Sequence, residues 1–135
     1  MGSAPQNEKQ RLQALLEQEA DIRLAILFGS LAKGRETAAS DIDLAVALER
    51  PLTVADKMAL IETLASALGR PVDLVDLRTV GEPLLGRILT EGERLLVRDE
   101  RLLAELIKKH LFDSADFLPL RQRILEERRR AWIGQ

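Results

Sequence analysis

Cysteine is absent from this 135-residue sequence, and tyrosine is absent as well. Without cysteine the chain forms neither disulfide bonds nor thiolate metal sites, which fits a reducing cytosol. No apolar run approaches the roughly 20 residues that a membrane-spanning helix needs. The polar start MGSAPQNEKQ is unlike a signal peptide. These absences predict a cytoplasmic protein that does not enter a membrane.

A strong charge of one sign is also lacking, because 20 Lys and Arg nearly balance 22 Asp and Glu and leave a net charge of −2. No global field therefore attracts nucleic acid or an anionic membrane, and direct nucleic-acid binding is not expected. What is present is an ordinary globular composition, 46% hydrophobic and 31% charged. The length indicates a single domain.

Apolar patterning predicts strands that alternate with helices along the chain. Thr53 is expected to cap one helix and Gly69 to end it. Such alternation is typical of an α/β fold with helices packed against a sheet. The predicted strands cover 22–28, 41–48, 71–77 and 93–97, and the predicted helices cover 7–19, 54–68, 82–91 and a segment from Asp99 to about 132, broken near 113–119 by Pro119.

Two aspartates separated by one isoleucine begin the predicted strand over 41–48. Because side chains alternate along a strand, Asp41 and Asp43 point to the same face, about 6–7 Å apart. Two like charges this close repel each other unless a cation lies between them. Mg²⁺ is bound by one or two carboxylates together with substrate phosphates, so the pair predicts a metal site for chemistry at phosphorus. The opposite face of the strand is expected to be apolar and to carry Ile42, Leu44 and Val46.

A third carboxylate would complete such a site, and the predicted strand over 71–77 carries two. Asp73 and Asp76 are three residues apart, so they face opposite sides of the strand and only one of them can join the pair. Their apolar neighbours do not distinguish the two faces. The spacing alone therefore leaves the choice between Asp73 and Asp76 open.

A Gly-Ser pair precedes the aspartates by ten residues. Gly29 lacks a Cβ and lets the backbone approach phosphates closely. Ser30 is expected to be the N-cap of a short helix that reaches Gly34, and its free N–H groups favour anions. Lys33 and Arg35 follow and can neutralise a triphosphate. The stretch is predicted to bind the phosphates of a nucleotide next to the metal.

The order of these residues resembles that of a known family. Gly29-Ser30, ten residues, and then Asp41-x-Asp43 is similar to the G-S-x10-D-x-D motif of the DNA-polymerase-β nucleotidyltransferase superfamily. The size of the chain and the run over 22–97 resemble the minimal members of that superfamily. These include MntA-like antitoxins that are paired with HEPN-type toxins, and the tail DFLPLRQRILEERR resembles the C-terminal helix of that antitoxin group.

The resemblance implies a fold. It is a mixed β-sheet of about four strands backed by helices, the nucleotidyltransferase fold of the α/β (α+β) class. Residues 1–98 would form the minimal core. Residues 99–135 would form a C-terminal helical segment that is part of the same single domain.

The resemblance also implies the chemistry and the roles of residues. The reaction is transfer of a nucleoside monophosphate from a substrate such as ATP to a hydroxyl, with two Mg²⁺ ions and release of pyrophosphate. Asp41 and Asp43 would hold the metals. The family pattern matches Pro71-Val72-Asp73, so the third catalytic and metal-binding carboxylate would be Asp73, which helps to activate the acceptor hydroxyl. The residues expected to bind the phosphates are Gly29, Ser30, Lys33 and Arg35.

The predicted site contains the metal and nucleotide half of a transferase, and little except helix is predicted after residue 98. The acceptor is therefore expected on another protein or on a second copy of the chain. Because the chain has no tyrosine to modify, the first hypothesis is an antitoxin that adds AMP to a hydroxyl of a HEPN-type toxin. Two alternatives stay open. One is a non-catalytic antitoxin that masks the toxin, and the other is an aminoglycoside-like nucleotidyltransferase that modifies a small molecule.

The remaining features receive structural interpretations. Phe28 is expected in the core, Asp76 is interpreted as structural, and His110, the only histidine, as a plain helix residue. The apolar residues over 117–132 are interpreted as either buried or a dimer or partner surface, and the charged run 126–130 as a solvated face. A stripe expected to pack on the sheet consists of Leu102, Leu103, Leu106, Ile107 and Leu111.

Overall fold

Four short strands form one sheet, with five helices around it, in residues 4–32 and 41–113, the part of the chain that this computed structural model describes. The strands are β1 (Leu24–Phe28), β2 (Ile42–Ala47), β3 (Val72–Asp76) and β4 (Glu93–Val97). The helices are α1 (Ala4–Glu17), α2 (Gly29–Ala32), α3 (Val54–Leu68), α4 (Leu84–Glu91) and α5 (Glu100–Asp113). The predicted order of strands and helices is confirmed.

The sheet has the order β3-β2-β1-β4 and is mixed. Strand β1 lies antiparallel to β2 and β4, whereas β2 and β3 run parallel. A parallel pair needs a crossover connection, which α3 provides. As a result, the last residue of β1 and the first residues of β2 and β3 meet at one end of the sheet. This arrangement confirms the expected mixed sheet of four strands backed by helices.

Both faces of the sheet are apolar and covered by helices. On one face, Ile42 and Val46 of β2 pack with leucines of α1 and α3. On the other face, Ala45 and Ala47 lie in a second cluster with side chains of α4 and α5. The predicted alternation along β2 is therefore confirmed, with Ile42, Leu44 and Val46 on one face and Asp43 and Ala45 on the other. Two helices cover that face, and small apolar residues occupy the positions beneath them.

The ends of α3 follow the predicted capping. The Thr53 hydroxyl accepts the N–H of Asp56 at 3.0 Å, and the Asp56 carboxylate accepts the N–H of Thr53 at 2.9 Å, which is a capping box. Gly69 ends the helix with a left-handed φ of 67°. The prediction that Ser30 caps a helix is wrong. Because the chain already turns at Gly29, helix α2 begins there and Ser30 lies inside its first turn.

Helix α5 is longer than the sheet that it covers. Leu102, Leu103 and Leu106 are buried in the second cluster, whereas Leu111 is 55% exposed. A helix of 14 residues is about 21 Å long, and a strand of 5 residues is about 17 Å long. The last turn therefore extends past the sheet. The predicted stripe is right as far as Ile107, which is partly buried, and wrong for Leu111.

Several predicted features lie outside the described residues. They are the break at Pro119, the helix that reaches about residue 132 with its apolar and charged residues, and the cations Lys33 and Arg35. Within the described ranges, no helix combines the length and the apolar character that crossing a membrane requires.

Candidate active site

Three strands bring two aspartates and an aromatic residue together at one end of the sheet, called here the aspartate end. In the parallel pair of β2 and β3, Asp43 lies directly beside Asp73. In the antiparallel pair of β1 and β2, Phe28 lies directly beside Asp43. Directly paired residues point to the same face of a sheet. The strand register therefore places Asp73, and not Asp76, next to Asp43, which is the choice that the residue spacing leaves open.

Asp43 is half-buried, and its surroundings disfavour its negative charge. Burial raises the pKa of the Asp43 carboxyl above its ordinary value, and the charges of Asp73 and Asp41 raise it further. Asp41 immediately precedes β2 and is exposed. Across residues 4–32 and 41–113, no cation and no hydrogen-bond donor contacts the Asp43 carboxylate. The aspartate end therefore gathers negative charge that favours the binding of a cation.

Gly29 brings the Gly-Ser turn into contact with this carboxylate. Its φ of 74° is unfavourable for residues with a side chain, and a Cβ on Gly29 would overlap Asp43 Oδ2. A glycine is therefore favoured here for two separate reasons. The motif predicts that the glycine makes room for phosphates, and in the structure it makes room for Asp43. Because α2 begins at Gly29, the backbone of Ser30 follows directly at the same end of the sheet.

A cavity of about 230 Å³ lies beside Asp43. Phe28 and Gly29 line it from the end of β1, and α4 forms another wall. Phe28 packs against the second cluster but is only partly buried and also lines the cavity, so the expectation that it belongs to the core is right only in part. The residues of α4 that line the cavity are Leu84, Arg87 and Glu91.

The sequence motif does not predict the residues of α4 that line the cavity. Leu84, Arg87 and Glu91 are three and four residues apart, which places them on one side of the helix. That spacing is equally typical of an ordinary solvated helix, so it carries no functional signal by itself. Their position follows from the burial of Leu85 and Ile88 against the sheet. The amphipathic pattern predicts which side of α4 is buried, but not which cavity its other side borders.

The described residues do not form a complete metal site by themselves. Over residues 4–32 and 41–113, no three acidic or histidine side chains converge closely enough to hold an ion. Mg²⁺, however, needs only one or two carboxylates when nucleotide phosphates and waters supply its other ligands. The facing pair of Asp43 and Asp73, with Asp41 close by, fits a Mg²⁺ that binds together with a nucleotide.

Two other polar residues have structural roles. Asp76 accepts the N–H groups of Leu52 and Arg78, each at 2.9 Å, so it fastens two loops at the opposite end of the sheet. This confirms the interpretation of Asp76 as structural. His110 Nδ1 lies 2.9 Å from Glu82 Oε2 and joins α5 to the segment before α4. His110 is therefore a helix residue, as predicted, with a partner that the sequence does not indicate.

Known proteins resemble this chain in sequence. Residues 10–101 match the protein-family model described as polymerase beta, nucleotidyltransferase. Over 100 residues the chain is 36% identical to the protein adenylyltransferase MntA of Shewanella oneidensis. That alignment covers 73% of this chain and 72% of MntA.

Solved structures with a similar fold come from toxin–antitoxin complexes. A chain of a toxin–antitoxin crystal structure with AMP-PNP gives a TM-score of 0.66 at 30% identity, covering 88% of this chain and 98% of that chain. A chain from tri-AMPylated Shewanella oneidensis HEPN toxin in complex with MNT antitoxin gives a TM-score of 0.63 at 28% identity, covering 90% and 98%. The predicted resemblance is thereby confirmed, and the chain belongs to the polymerase beta nucleotidyltransferase family as a homologue of the protein adenylyltransferase MntA.

Proposed function

We propose that this protein is a Mg²⁺-dependent adenylyltransferase that transfers AMP from ATP to a hydroxyl of a HEPN-type toxin, and that it acts as an antitoxin. The observation that carries the proposal is the contact of Gly29 with Asp43, with Asp73 beside them. Relatives support it, since MntA is named a protein adenylyltransferase and an MNT antitoxin forms a complex with a tri-AMPylated HEPN toxin. We place the activity in the cytoplasm, where ATP and Mg²⁺ are both plentiful.

The aspartate end would hold the metal and the phosphates. Asp41, Asp43 and Asp73 would bind two Mg²⁺ ions together with ATP. Bound Mg²⁺ offsets the negative charge on the phosphate oxygens during transfer. Asp43 belongs to β2, which lies between β1 and β3 in the sheet. The strands therefore fix its position relative to Asp73. The residues that we assign to phosphate binding are Gly29, Ser30, Lys33 and Arg35.

The transfer replaces the phosphoanhydride bond between the α- and β-phosphates of ATP with a phosphoester bond to the acceptor. Asp73 accepts the proton of the acceptor hydroxyl. The hydroxyl oxygen forms a bond to the α-phosphorus of ATP, while the bond from that phosphorus to the bridging oxygen of the β-phosphate breaks. AMP is then attached to the acceptor, and pyrophosphate leaves with the electron pair of the broken bond. Asp73 is exposed, which leaves it accessible to a hydroxyl presented by another protein.

We also propose that the chain acts as one domain, with residues 1–98 as the core and 99–135 as a helical segment of it. Helix α5 supports the single domain because Leu102 and Leu106 lie in the same cluster as Leu24 of β1. Removing α5 would expose that cluster to water, so we expect the core not to fold well without it.

The proposal is tested by incubating the protein with Mg²⁺, ATP labelled on the α-phosphate, and the protein encoded in the adjacent reading frame. Label is expected on the partner, and chelation of Mg²⁺ should prevent it. Asp43→Asn is expected to reduce labelling by about 100-fold or more, since it removes a charged metal ligand. Glu62→Gln, which changes an exposed carboxylate of α3, is the matched control and should label the partner normally. Absence of label with the unaltered protein would contradict the proposal.

A second candidate function is neutralisation by binding alone. It is favoured by the solved relatives, which are described as toxin–antitoxin complexes. Asp43→Asn separates the two functions, because it removes a proposed metal ligand without altering the outer surface of the helices. If this variant binds the partner and protects cells as fully as the unaltered protein, masking is the function. If it binds but does not protect, transfer is required.

A further inference from the structure

The cavity beside Asp43 contains one cationic side chain among its described lining residues. Asp43 and Glu91 bring negative charge, Phe28 and Leu84 are apolar, and Arg87 supplies the positive charge. Arg87 is not among the proposed metal and phosphate ligands. An ATP molecule that binds next to Asp43 would add several negative charges to this wall. A guanidinium group at the same cavity would offset part of them.

Helix α4 holds Arg87 at a defined place. Leu85 and Ile88 are completely buried on the sheet, so the helix cannot rotate about its axis without exposing them. Gly92 follows the helix and packs tightly against β1. The space is so narrow that a Cβ on Gly92 would lie 2.5 Å from Ile26 Cγ2. A side chain carried by such a rigid element is better placed for recognition than one on a loop.

The guanidinium of Arg87 is not engaged by a carboxylate anywhere in the ranges 4–32 and 41–113. Other arginines have clear structural partners. Arg50 pairs with Asp56 at 2.5 Å, and Arg98 donates to the carbonyl oxygen of Glu17 at 2.7 Å. Those two side chains fasten loops and helix ends. Arg87 is exposed and makes no such bond to the described residues, so within this part of the chain its guanidinium is available to a ligand in the cavity.

We propose that Arg87 binds the triphosphate of ATP and so orients the nucleotide whose α-phosphate lies beside Asp43. The planar guanidinium matches two phosphate oxygens at once. The cavity, at about 230 Å³, is smaller than the roughly 300–1,000 Å³ of sites that enclose a whole ligand. It therefore takes only part of the nucleotide, and the part nearest the metal-binding carboxylates is phosphate. This inference rests on the proposed function, because it takes ATP as the ligand of the aspartate end.

The test compares nucleotide binding by the full chain and by three variants, in the presence of Mg²⁺. Arg87→Gln is expected to weaken ATP binding by about 10- to 100-fold, because a charge-assisted hydrogen bond is lost. Arg87→Lys should restore part of the affinity, since it keeps the charge but not the planar fork. Arg101→Gln is the matched control, because Arg101 is 91% exposed on α5 and does not line the cavity. It should bind ATP normally.

Adenosine distinguishes a phosphate contact from a contact with the base or the ribose. Adenosine binding, measured by chemical-shift titration, is expected to be unchanged in Arg87→Gln. In the transfer reaction, the KM for ATP should rise by more than kcat falls. Circular dichroism and thermal unfolding of each variant show whether the fold is preserved, and no change is expected for this exposed residue.

The possible results separate this inference from the proposed function. Unchanged ATP affinity in Arg87→Gln, or an equal loss of ATP and adenosine binding, would overturn the role of Arg87 and leave the proposed function standing. If Arg87→Gln loses ATP binding and the unaltered protein puts no label on the partner protein, the role of Arg87 in ATP binding is supported and the transfer reaction is contradicted. If the unaltered protein binds no ATP, both proposals fail.

Discussion

The carboxylates at the two ends of the sheet have opposite surroundings. At the aspartate end, Asp43 and Asp73 lie side by side, and burial and neighbouring charge raise the pKa of Asp43. At the opposite end, Asp76 accepts two backbone N–H groups. The Asp56 carboxylate there accepts hydrogen bonds from Arg50, which hold the pKa of Asp56 well below its usual range. Among the described residues, the aspartate end concentrates negative charge that has no cationic partner. At the opposite end, carboxylates fasten loops and helix ends.

The contrast is sharpest within a single strand. Asp73 and Asp76 both belong to β3 and are three residues apart, yet one faces Asp43 and the other closes two loops. A carboxylate whose oxygens are satisfied by backbone N–H groups stabilises the fold. A carboxylate that faces another carboxylate opposes folding unless a ligand compensates it. The comparison therefore separates a site for binding from a site for stability without reference to any motif.

Alanine substitutions of Asp73 and Asp76, the two aspartates of β3, are expected to have the largest effects. Asp73→Ala is expected to lower the transfer rate by about 100-fold or more, because it removes the proposed base, with little change in thermal stability. Asp76→Ala is expected to lower the free energy of unfolding by about 2 kcal/mol, because two backbone N–H groups lose their acceptor. Its transfer rate per folded molecule should stay within about threefold of normal.

The measurements are label transfer to the partner and unfolding in urea, made on the same preparations. If Asp73→Ala were to unfold easily while Asp76→Ala lost transfer, the assignment of the two ends would be reversed.

Two glycines, Gly29 and Gly69, have a similar backbone conformation but different surroundings. Gly29 has a φ of 74° and Gly69 a φ of 67°, so alanine at either position costs about 1–2 kcal/mol of stability. Only at Gly29 does the added Cβ meet another group, the Asp43 carboxylate, while nothing lies within 4 Å at Gly69. Gly29→Ala is therefore expected to lose at least about tenfold in transfer rate because Asp43 is displaced. Gly69→Ala should keep its activity. Equal transfer rates in the two variants would show that the contact is unimportant.

The smallest expected effects are opposite dependences of stability on pH. Because the pKa of Asp43 is raised in the folded state, its contribution to stability is present below the unfolded pKa, about 3.9, and is lost as pH rises through the folded value. At pH 7, Asp43→Asn should therefore melt at a higher temperature than the unaltered protein, by on the order of 1–3 °C. At pH 3 this difference should be smaller.

Asp56 has the reverse sign. Its pKa is lowered on folding, so its contribution is present above about pH 4 and is lost as pH falls toward the folded value. Asp56→Asn should lower the melting temperature at pH 7, and the difference from the unaltered protein should shrink as the pH approaches 2. Thermal unfolding followed by circular dichroism from pH 2 to 7 measures both variants. If the melting temperatures of Asp43→Asn and Asp56→Asn changed with pH in the same way, the difference between the two ends of the sheet would be contradicted.

Much of the fold is visible in the sequence because its signals are local. Thr53 and Gly69 mark the two ends of α3, since capping depends on hydrogen bonds within one turn and on the backbone freedom of glycine. The strands are recognisable as short apolar runs. The errors arise where packing decides. Phe28 lies in an apolar run, yet part of it lines a cavity, and Leu111 continues a helical stripe that extends past the sheet.

By itself, the sequence determined the order of elements, the α/β class, and the two parts of the motif, Gly29-Ser30 and Asp41-x-Asp43, because these depend on neighbours along the chain. Residue spacing leaves Asp73 and Asp76 open, and within the sequence only the family pattern points to Asp73. The tertiary structure shows that Asp73 faces Asp43 and that Arg87 borders the same cavity. Those choices depend on the register of β2 against β3 and on the packing of α4 against β1. Register and packing join residues distant in sequence, so no local spacing encodes them.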